Sequence, residues 1–367
     1  MDIQSAIAQR AGVGRYTKAL AEHMGPLSGD DELRLFYFDF RRRGVPFPTP
    51  HSLQRSVTWC PGRLAQKAWK TLDLPPFDWF AGQADLYHFP NFVIPPLRRG
   101  RAVVTIHDVS FLRFPEAAEP ANLRYLNAQI RKTVDRADCI LTDSEFSARE
   151  MAELLDVPPD RIRAVPLGLT PNMLPPPPEA VAAQRTALKL ERPYVLFVGT
   201  FEPRKNIPFL VDSFERMTGF DGDLVLAGMR GWSYEPILDR IRQSPQRRRI
   251  HYLEYVDERQ LPALYAGAEL FVFPSLYEGF GFPPLEAMQC GTPVLSSRRG
   301  SLPEVLGEAA AYASIEDPAA WAAAAEDLLN DDARRDVLRR AGQEQAGRYR
   351  WERTAQETWN VYRETGS

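Results

Sequence analysis

The chain has 367 residues, 44% of them apolar and 25% charged, with a formal net charge of −3. That length suits two domains of about 150 to 200 residues, and the charge gives no global case for nucleic-acid binding. Cys60, Cys139 and Cys290 are few and widely separated, which argues against a disulfide framework and fits a reducing cytosol. The opening MDIQSAIAQR does not read as a signal peptide, and no apolar stretch approaches the roughly 18 residues of a membrane span.

In AGVGRYTKALAEHM, Gly12 and Gly14 precede a helical pattern whose first N–H groups can receive an anion. The stretch does not match GxGxxG, and a plain glycine turn explains it equally well. From Arg41 to Leu72 there is no acidic residue, but there are Arg41, Arg42, Arg43, Arg55, Arg63, Lys67 and Lys70, with Trp59, Leu64 and Trp69 among them. The plainer reading is a solvated loop and a short helix. The sharper one is a surface that meets an anionic membrane or a lipid-phosphate acceptor.

Next, residues 84–89 (ADLYHF) and 101–108 (RAVVTIHD) read as strands, and 122–138 as a helix with Leu123, Leu126, Ile130 and Val134 on one stripe. A strand over 139–144 follows, then a capping box at Ser147 to Glu150, then a strand over 161–168. The prolines Pro175 to Pro178 predict a stiff extended linker. The alternation restarts with strands at 194–200, 223–228 and 269–275 and at TPVLSS. Asn206 and Asp257 are the expected N-caps of the helices that follow, with Pro208 in a first turn. Short βαβ connections predict an α/β fold of two Rossmann-like domains facing each other across a cleft, 1–170 and 192–350, joined by 171–191.

In parallel sheets, ligands sit beyond the carboxyl ends of strands. His107 ends the apolar run AVVTI and can donate into a cleft; Asp108 is left open. Arg204 and Lys205 follow a buried strand and precede a helix, a placement suited to a diphosphate. In YEGFGFPPLEAMQCGTP, Pro283 and Pro284 suit the first turn of a helix and Gly291 its end, which places Glu286 in that turn and Glu278 in the loop before it. The expected free N–H donors are Gly281, Phe282, Leu285 and Glu286. A carboxylate accepts from two adjacent hydroxyls, so the two glutamates suit two parts of one sugar nucleotide rather than an acid and base flanking a bond.

EGFGFPPLE is glutamate, seven residues, glutamate. With PSLYEGFGFPPLEAMQCGTPVLSS around it, VLFVGTFEPRKNIPFLVDSF upstream, and GVGRYT, VTIHD, ADCILTDSEFSARE, SLPEVLGEAA and YRWERTAQETWNVYRE in order, the chain resembles the large retaining glycosyltransferase family 4 of GT-B fold, with its many mannosyl- and glucosyltransferases. The resemblance implies a nucleotide sugar held mainly by the C-terminal domain. Lys205 and Arg204 would bind its diphosphate, Glu286 the ribose, and Glu278 with the backbone of Gly279, Phe280, Gly281 and Phe282 the transferred sugar. Val256 would lie near the base, His107 would contact the sugar, Gly12 and Gly14 would let the N-terminal domain close over the phosphates, and the helix over 351–364 would pack back on that domain. Relatives often carry arginine where this chain has Thr200, and the resemblance then implies that Arg204 stands in for that cation. They also open with a strand before the glycines, whereas only MDIQSAIAQRA stands here, which implies a strand shortened or absent.

The activity so implied is retaining transfer of a hexose from a nucleotide sugar to a glycan or lipid-linked oligosaccharide in cell-surface polysaccharide synthesis. GDP-mannose is preferred as donor and a UDP-sugar of glucose type is the alternative. No metal or other cofactor is expected, since DGD (221–223) reads as turn chemistry. The expected location is cytoplasmic, with peripheral membrane contact through 41–72 and no nucleic-acid partner. A sugar-nucleotide epimerase and a non-catalytic binding module are the rival readings. A Rossmann dehydrogenase lacks its GxGxxG and distal acid.

Overall fold

Short runs of two to five residues, most of them apolar, form the strands. In the computed structural model, which describes residues 1–8, 12–117, 119–171 and 173–366, every strand pairing among the described residues is parallel. The chain divides into two units, Met1–Val109 with Arg124–Gly168 and Arg350–Ser367, and Ser110–Leu123 with Leu169–Tyr349.

In the first unit, β1 (Arg34–Phe38) pairs with β2 (Leu53–Val57). A second sheet runs β3 (Leu86–Phe89), β4 (Arg101–Thr105), β5 (Cys139–Thr142) and β6 (Ile162–Ala164) in that order. Residues 1–3 join the two sheets: Ile3 N donates to Phe36 O at 2.8 Å, Phe36 N to Met1 O at 2.9 Å, and Asp2 N to His88 O at 2.9 Å. The strand expected before the glycines is therefore shortened, not absent. Helix Trp351–Gly366 packs on helix Val13–Met24, β3 and β4. A buried polar chain ties these elements. The Tyr16 hydroxyl is 3.0 Å from Thr105 Oγ1, which is 2.8 Å from His88 Nε2, and His88 Nδ1 is 2.6 Å from the Tyr362 hydroxyl. Burial holds the His88 imidazole well below its ordinary value, so it is neutral.

The second unit contains β7 (Tyr194–Val198), β8 (Asp223–Ala227), β9 (Ile250–Leu253), β10 (Leu270–Phe273), β11 (Val294–Ser296) and β12 (Ala311–Tyr312), ordered β12-β11-β10-β7-β8-β9. β8 and β10 are buried throughout, as a sheet covered on both faces requires. The chain order reverses between β7 and β10. Loops leaving these two neighbours diverge around a crevice, the usual place for a ligand in such sheets.

Several local expectations change. Strands end earlier than 108, 144 and 168 because their last residues turn out of the sheet into the loops. The cap of helix Glu145–Leu155 is Ser144, not Ser147: Ser144 stays extended and its Oγ accepts from Ser147 N at 3.1 Å. Pro178 opens helix Pro178–Ala187 in place of an extended linker, because its missing N–H costs nothing at a first helical position. Asn206 takes the N-cap position of helix Ile207–Phe214 as expected, but its side chain makes no capping bond; its amide donates to Pro274 O at 3.3 Å. Asp257 closes a turn through Arg259 N at 2.9 Å, and the helix starts later, at Leu261–Ala266.

Gly168 makes the closest approach to the last helix. A Cβ there would stand 2.3 Å from Trp351 N and 2.6 Å from its Cα. Gly168→Ala should therefore destabilise the protein by about 1–3 kcal/mol through overpacking. A thermal melt unchanged from the wild type would show that the start of this helix can shift freely.

Candidate active site

The loops after β7 and β10 meet on one carboxylate. Lys205 Nζ donates to Glu278 Oε1 at 2.6 Å, and Arg204 Nη1 donates to Glu278 Oε2 at 3.0 Å. Arg204 also reaches Tyr277 O at 3.1 Å and pairs through Nε with Glu202 at 2.7 Å. Lys205 and Glu278 are both buried, and the Lys205 ammonium lies 5.1 Å from the centre of the Phe273 ring. Leu276 N donates to Arg204 O at 2.8 Å, so backbone as well as side chains joins the two loops.

Two cations thus share one buried anion. Burial alone would push the Glu278 carboxyl up, but Lys205 and Arg204 outweigh it and hold the group down at about 2. Burial and the neighbouring Arg204 charge lower the Lys205 ammonium, against the pull of Glu278. At neutral pH the cluster holds an ionised carboxylate.

The Glu278 peptide is fixed from behind. Ser301 N and Oγ both donate to Glu278 O at 3.0 Å, and Ser301 Oγ is 2.8 Å from Phe280 O. Gly300, at φ 64°, leaves room for this: a Cβ there would lie 2.4 Å from Glu278 O. Ser297 Oγ adds a bond to Ser275 O at 2.6 Å.

Helix Phe282–Gln289 follows, with Pro283 and Pro284 in its first turn and Gly291 at φ 78° just past its end. Glu286 is the helix's fifth residue, just past the expected first turn, where an i−4 carbonyl partner already exists for its amide. Leu285 N likewise donates to Gly281 O at 3.5 Å, so it is not an unpaired donor. The Glu286 side chain is buried and accepts from the Tyr265 hydroxyl at 3.0 Å. Phe280 turns its ring into the core, 5.5 Å from Tyr349, which leaves only its backbone for a ligand. Gly279 and Gly281 lie in the same loop before this helix. Thr200 is exposed after β7, and Val256 is half-buried after β9.

His107, Gly12 and Gly14 belong to the first unit. Gly12 precedes helix Val13–Met24 and Gly14 lies buried in its first turn. Tyr16 on that helix meets the His107 ring edge-on at 4.8 Å. His107 Nδ1 is 2.9 Å from Asp143 Oδ2. Burial would lower the imidazole, but the Asp143 charge overrides this and raises it above its ordinary value. Within DGD, Asp223 pairs with His251 Nε2 at 2.9 Å and Asp221 with Arg192 at 3.0 Å.

Sequence reading missed Asp143, Tyr265, Glu202 and Ser301. Asp143 follows the apolar run CILT as His107 follows AVVTI, so the same rule finds it. Tyr265 sits in a helical apolar pattern and carries no such signal.

Two outcomes follow from these charges. The Glu278 stabilisation is present above the ordinary carboxyl value of 4.5 and is lost as pH falls toward about 2. Lys205→Met should raise the Glu278 value, read by carboxyl NMR. It should also cost on the order of 3 kcal/mol at pH 7, read by denaturant titration, and flatten the acid loss of stability. An unmoved Glu278 titration would mean that Arg204 alone holds the anion. Asp143→Asn should lower the His107 value, because burial then loses its largest opponent and only the weaker pull of Asp108 and the Pro90 backbone remains against it. In the wild type the His107 contribution is present below pH 6.5 and is lost as pH rises through the elevated value. Imidazole proton NMR reads both.

Comparison with known proteins bears on the family and the fold. Residues 180–345 match the family Glycosyl transferases group 1, and residues 10–172 match Glycosyltransferase Family 4. Over an alignment of 379 positions that covers 96% of each chain, the sequence is 33% identical to O-antigen chain mannosyltransferase B of Escherichia coli. The structure superposes on sucrose-phosphate synthase of Thermosynechococcus elongatus with a TM-score of 0.75 and 22% identity, covering 96% of this chain and 93% of that one. On Anabaena HepE, solved with UDP and glucose, the TM-score is 0.72 at 17% identity, covering 98% and 97%. A relative this similar, matched almost end to end, leaves one assignment: the chain belongs to glycosyltransferase family 4 and is a glycosyltransferase of GT-B fold.

Proposed function

We propose that this glycosyltransferase moves mannose from GDP-mannose, with retention of configuration, to a hydroxyl of a glycan or lipid-linked oligosaccharide in O-antigen-type polysaccharide synthesis. The observation that carries the reading is the convergence of Lys205 and Arg204 on Glu278 at the point where the strand order reverses. The sugar and the pathway follow the 33%-identical relative named for O-antigen mannosyl transfer.

The barrier to such a transfer is charge separation, as the sugar becomes oxocarbenium-like while the diphosphate departs. Lys205 and Arg204 are the groups to take up that developing charge, and the tip of helix Phe282–Gln289 adds its dipole. A diphosphate would compete with Glu278 for both cations. Glu278, released from them, becomes an acceptor for sugar hydroxyls, and Glu286, oriented by Tyr265, an acceptor for the ribose diol. His107 is proposed to serve the same transfer, its imidazolium favoured by Asp143. The two side-chain cations are proposed to make a metal unnecessary. An acceptor on a lipid would bring the enzyme to a membrane surface.

Purified enzyme should transfer from GDP-mannose to a glycan primer in the presence of EDTA, with the donor's anomeric configuration kept in the NMR spectrum of the product. Lys205→Ala and Glu278→Ala should each lower kcat by about 100- to 1,000-fold. Use of UDP-glucose in place of GDP-mannose would move the assignment to the glucose type. Conversion of the donor without an acceptor would make the protein an epimerase.

A further inference from the structure

The first unit carries an exposed face remote in sequence from every residue assigned above. Helix Gly62–Thr71 is held inward by Trp69, whose ring lies 5.9–6.0 Å from Phe38, Phe77 and Phe80 and whose Nε1 donates to Pro75 O at 2.7 Å. Ala65, on the same side, is buried. At 100° per residue the opposite side presents Lys70, Arg63 and Lys67 within an arc of about 60°, with Leu64 about 60° beyond Lys67. All four are exposed, Leu64 at 59%, and of the three cations Lys70 is engaged, its ammonium 3.9 Å from the centre of the Tyr125 ring, which leaves Arg63 and Lys67.

Beside the helix, other exposed side chains share its aromatic anchor. Trp59, 72% exposed, stacks on Phe80 at 5.6 Å, and Arg55 Nε donates to Phe80 O at 3.4 Å, so an indole and another cation flank the same aromatic anchor. Leu72 and Leu74, 70% and 59% exposed, follow the helix. The next acids along the chain are already engaged: Asp73 pairs with Arg136, and Asp78 with Arg98 at 3.4 Å. A lone exposed leucine means little. A run of large apolar side chains set among uncompensated cations is a binding surface.

We propose that this face docks on a bilayer rich in anionic lipid, with Trp59 and Leu64 entering the boundary between headgroups and acyl chains while Arg55, Arg63 and Lys67 meet lipid phosphates. Phosphates alone would satisfy the cations, as a nucleic acid could, but would leave the indole and the leucines in water. A bilayer surface takes both. Among the described residues no helix is long and apolar enough to cross a membrane. The inference deepens the proposed transfer to a lipid-linked acceptor, on which it rests for its purpose but not for the binding itself.

The test is co-sedimentation of the full chain with vesicles of phosphatidylcholine alone or mixed with phosphatidylglycerol. Binding should require phosphatidylglycerol and weaken with salt. Each cation contributes about a five-fold gain at such a surface, so Arg55→Ser, Arg63→Ser and Lys67→Ser combined should lose on the order of 100-fold. Trp59→Ser with Leu64→Ser should weaken binding with all the cations retained. It should also reduce tryptophan quenching by brominated lipid. GDP-mannose binding, followed calorimetrically, should be unchanged in both variants, which also shows that they fold. Equal binding to both vesicle types, or none, overturns the proposal. Wild-type affinity in the Trp59 and Leu64 variant does so too, as does RNA displacing the vesicles without regard to those two residues. Vesicle binding by a protein that ignores GDP-mannose would sink the donor assignment and leave this surface standing.

Discussion

The structure turns on one shared anion. Glu278 is buried, and a buried carboxylate without partners would be costly. Lys205 and Arg204 supply those partners from a loop 73 positions away in sequence, and the contact exists only because β10 lies beside β7 in the sheet. Strand order therefore makes the electrostatics. The same pairing keeps the Lys205 ammonium ordered inside the protein, where its own desolvation would otherwise oppose charge. A group of this kind is ready for an anionic ligand, because a second anion can replace the first without any new cation being buried.

The first unit follows a different logic. Its polar interior is a hydrogen-bonded chain through Tyr16, Thr105, His88 and Tyr362, with a neutral imidazole at its centre. That chain ties the glycine-led helix and the final helix to β3 and β4, and so sets the ring of Tyr16 against His107. His107 is the charged exception, and it has its own carboxylate in Asp143. Two histidines in one unit thus take opposite protonation preferences, one from burial without a charge partner and one from burial with it.

Much of this was legible in the chain. Apolar runs broken by turn residues marked the strands, and the polar residues after those runs marked Lys205, Glu278 and His107. Their mutual arrangement was not legible, because spacing along a chain does not say which strands become neighbours. Tyr265 illustrates the limit: its ring packs near Phe271 as an ordinary core residue, and only its hydroxyl, reaching Glu286, gives it a second role. Helix starts were misplaced for a related reason. Ser144 and Ser147 are equivalent as cap chemistry, and the true end of β5 at Thr142 decides between them. Pro178 was read by what it forbids inside a helix and not by what it permits at the start of one.

The seat of Glu278 is built partly by residues outside its own loop. Ser301 grips its carbonyl, and Gly300 stands where no side chain could. The glutamate motif is therefore not a portable module. Transplanting residues 275–289 into a related scaffold would carry the carboxylates but not their footing, and a chimera should draw its boundary beyond Ser301 to keep the loop in register.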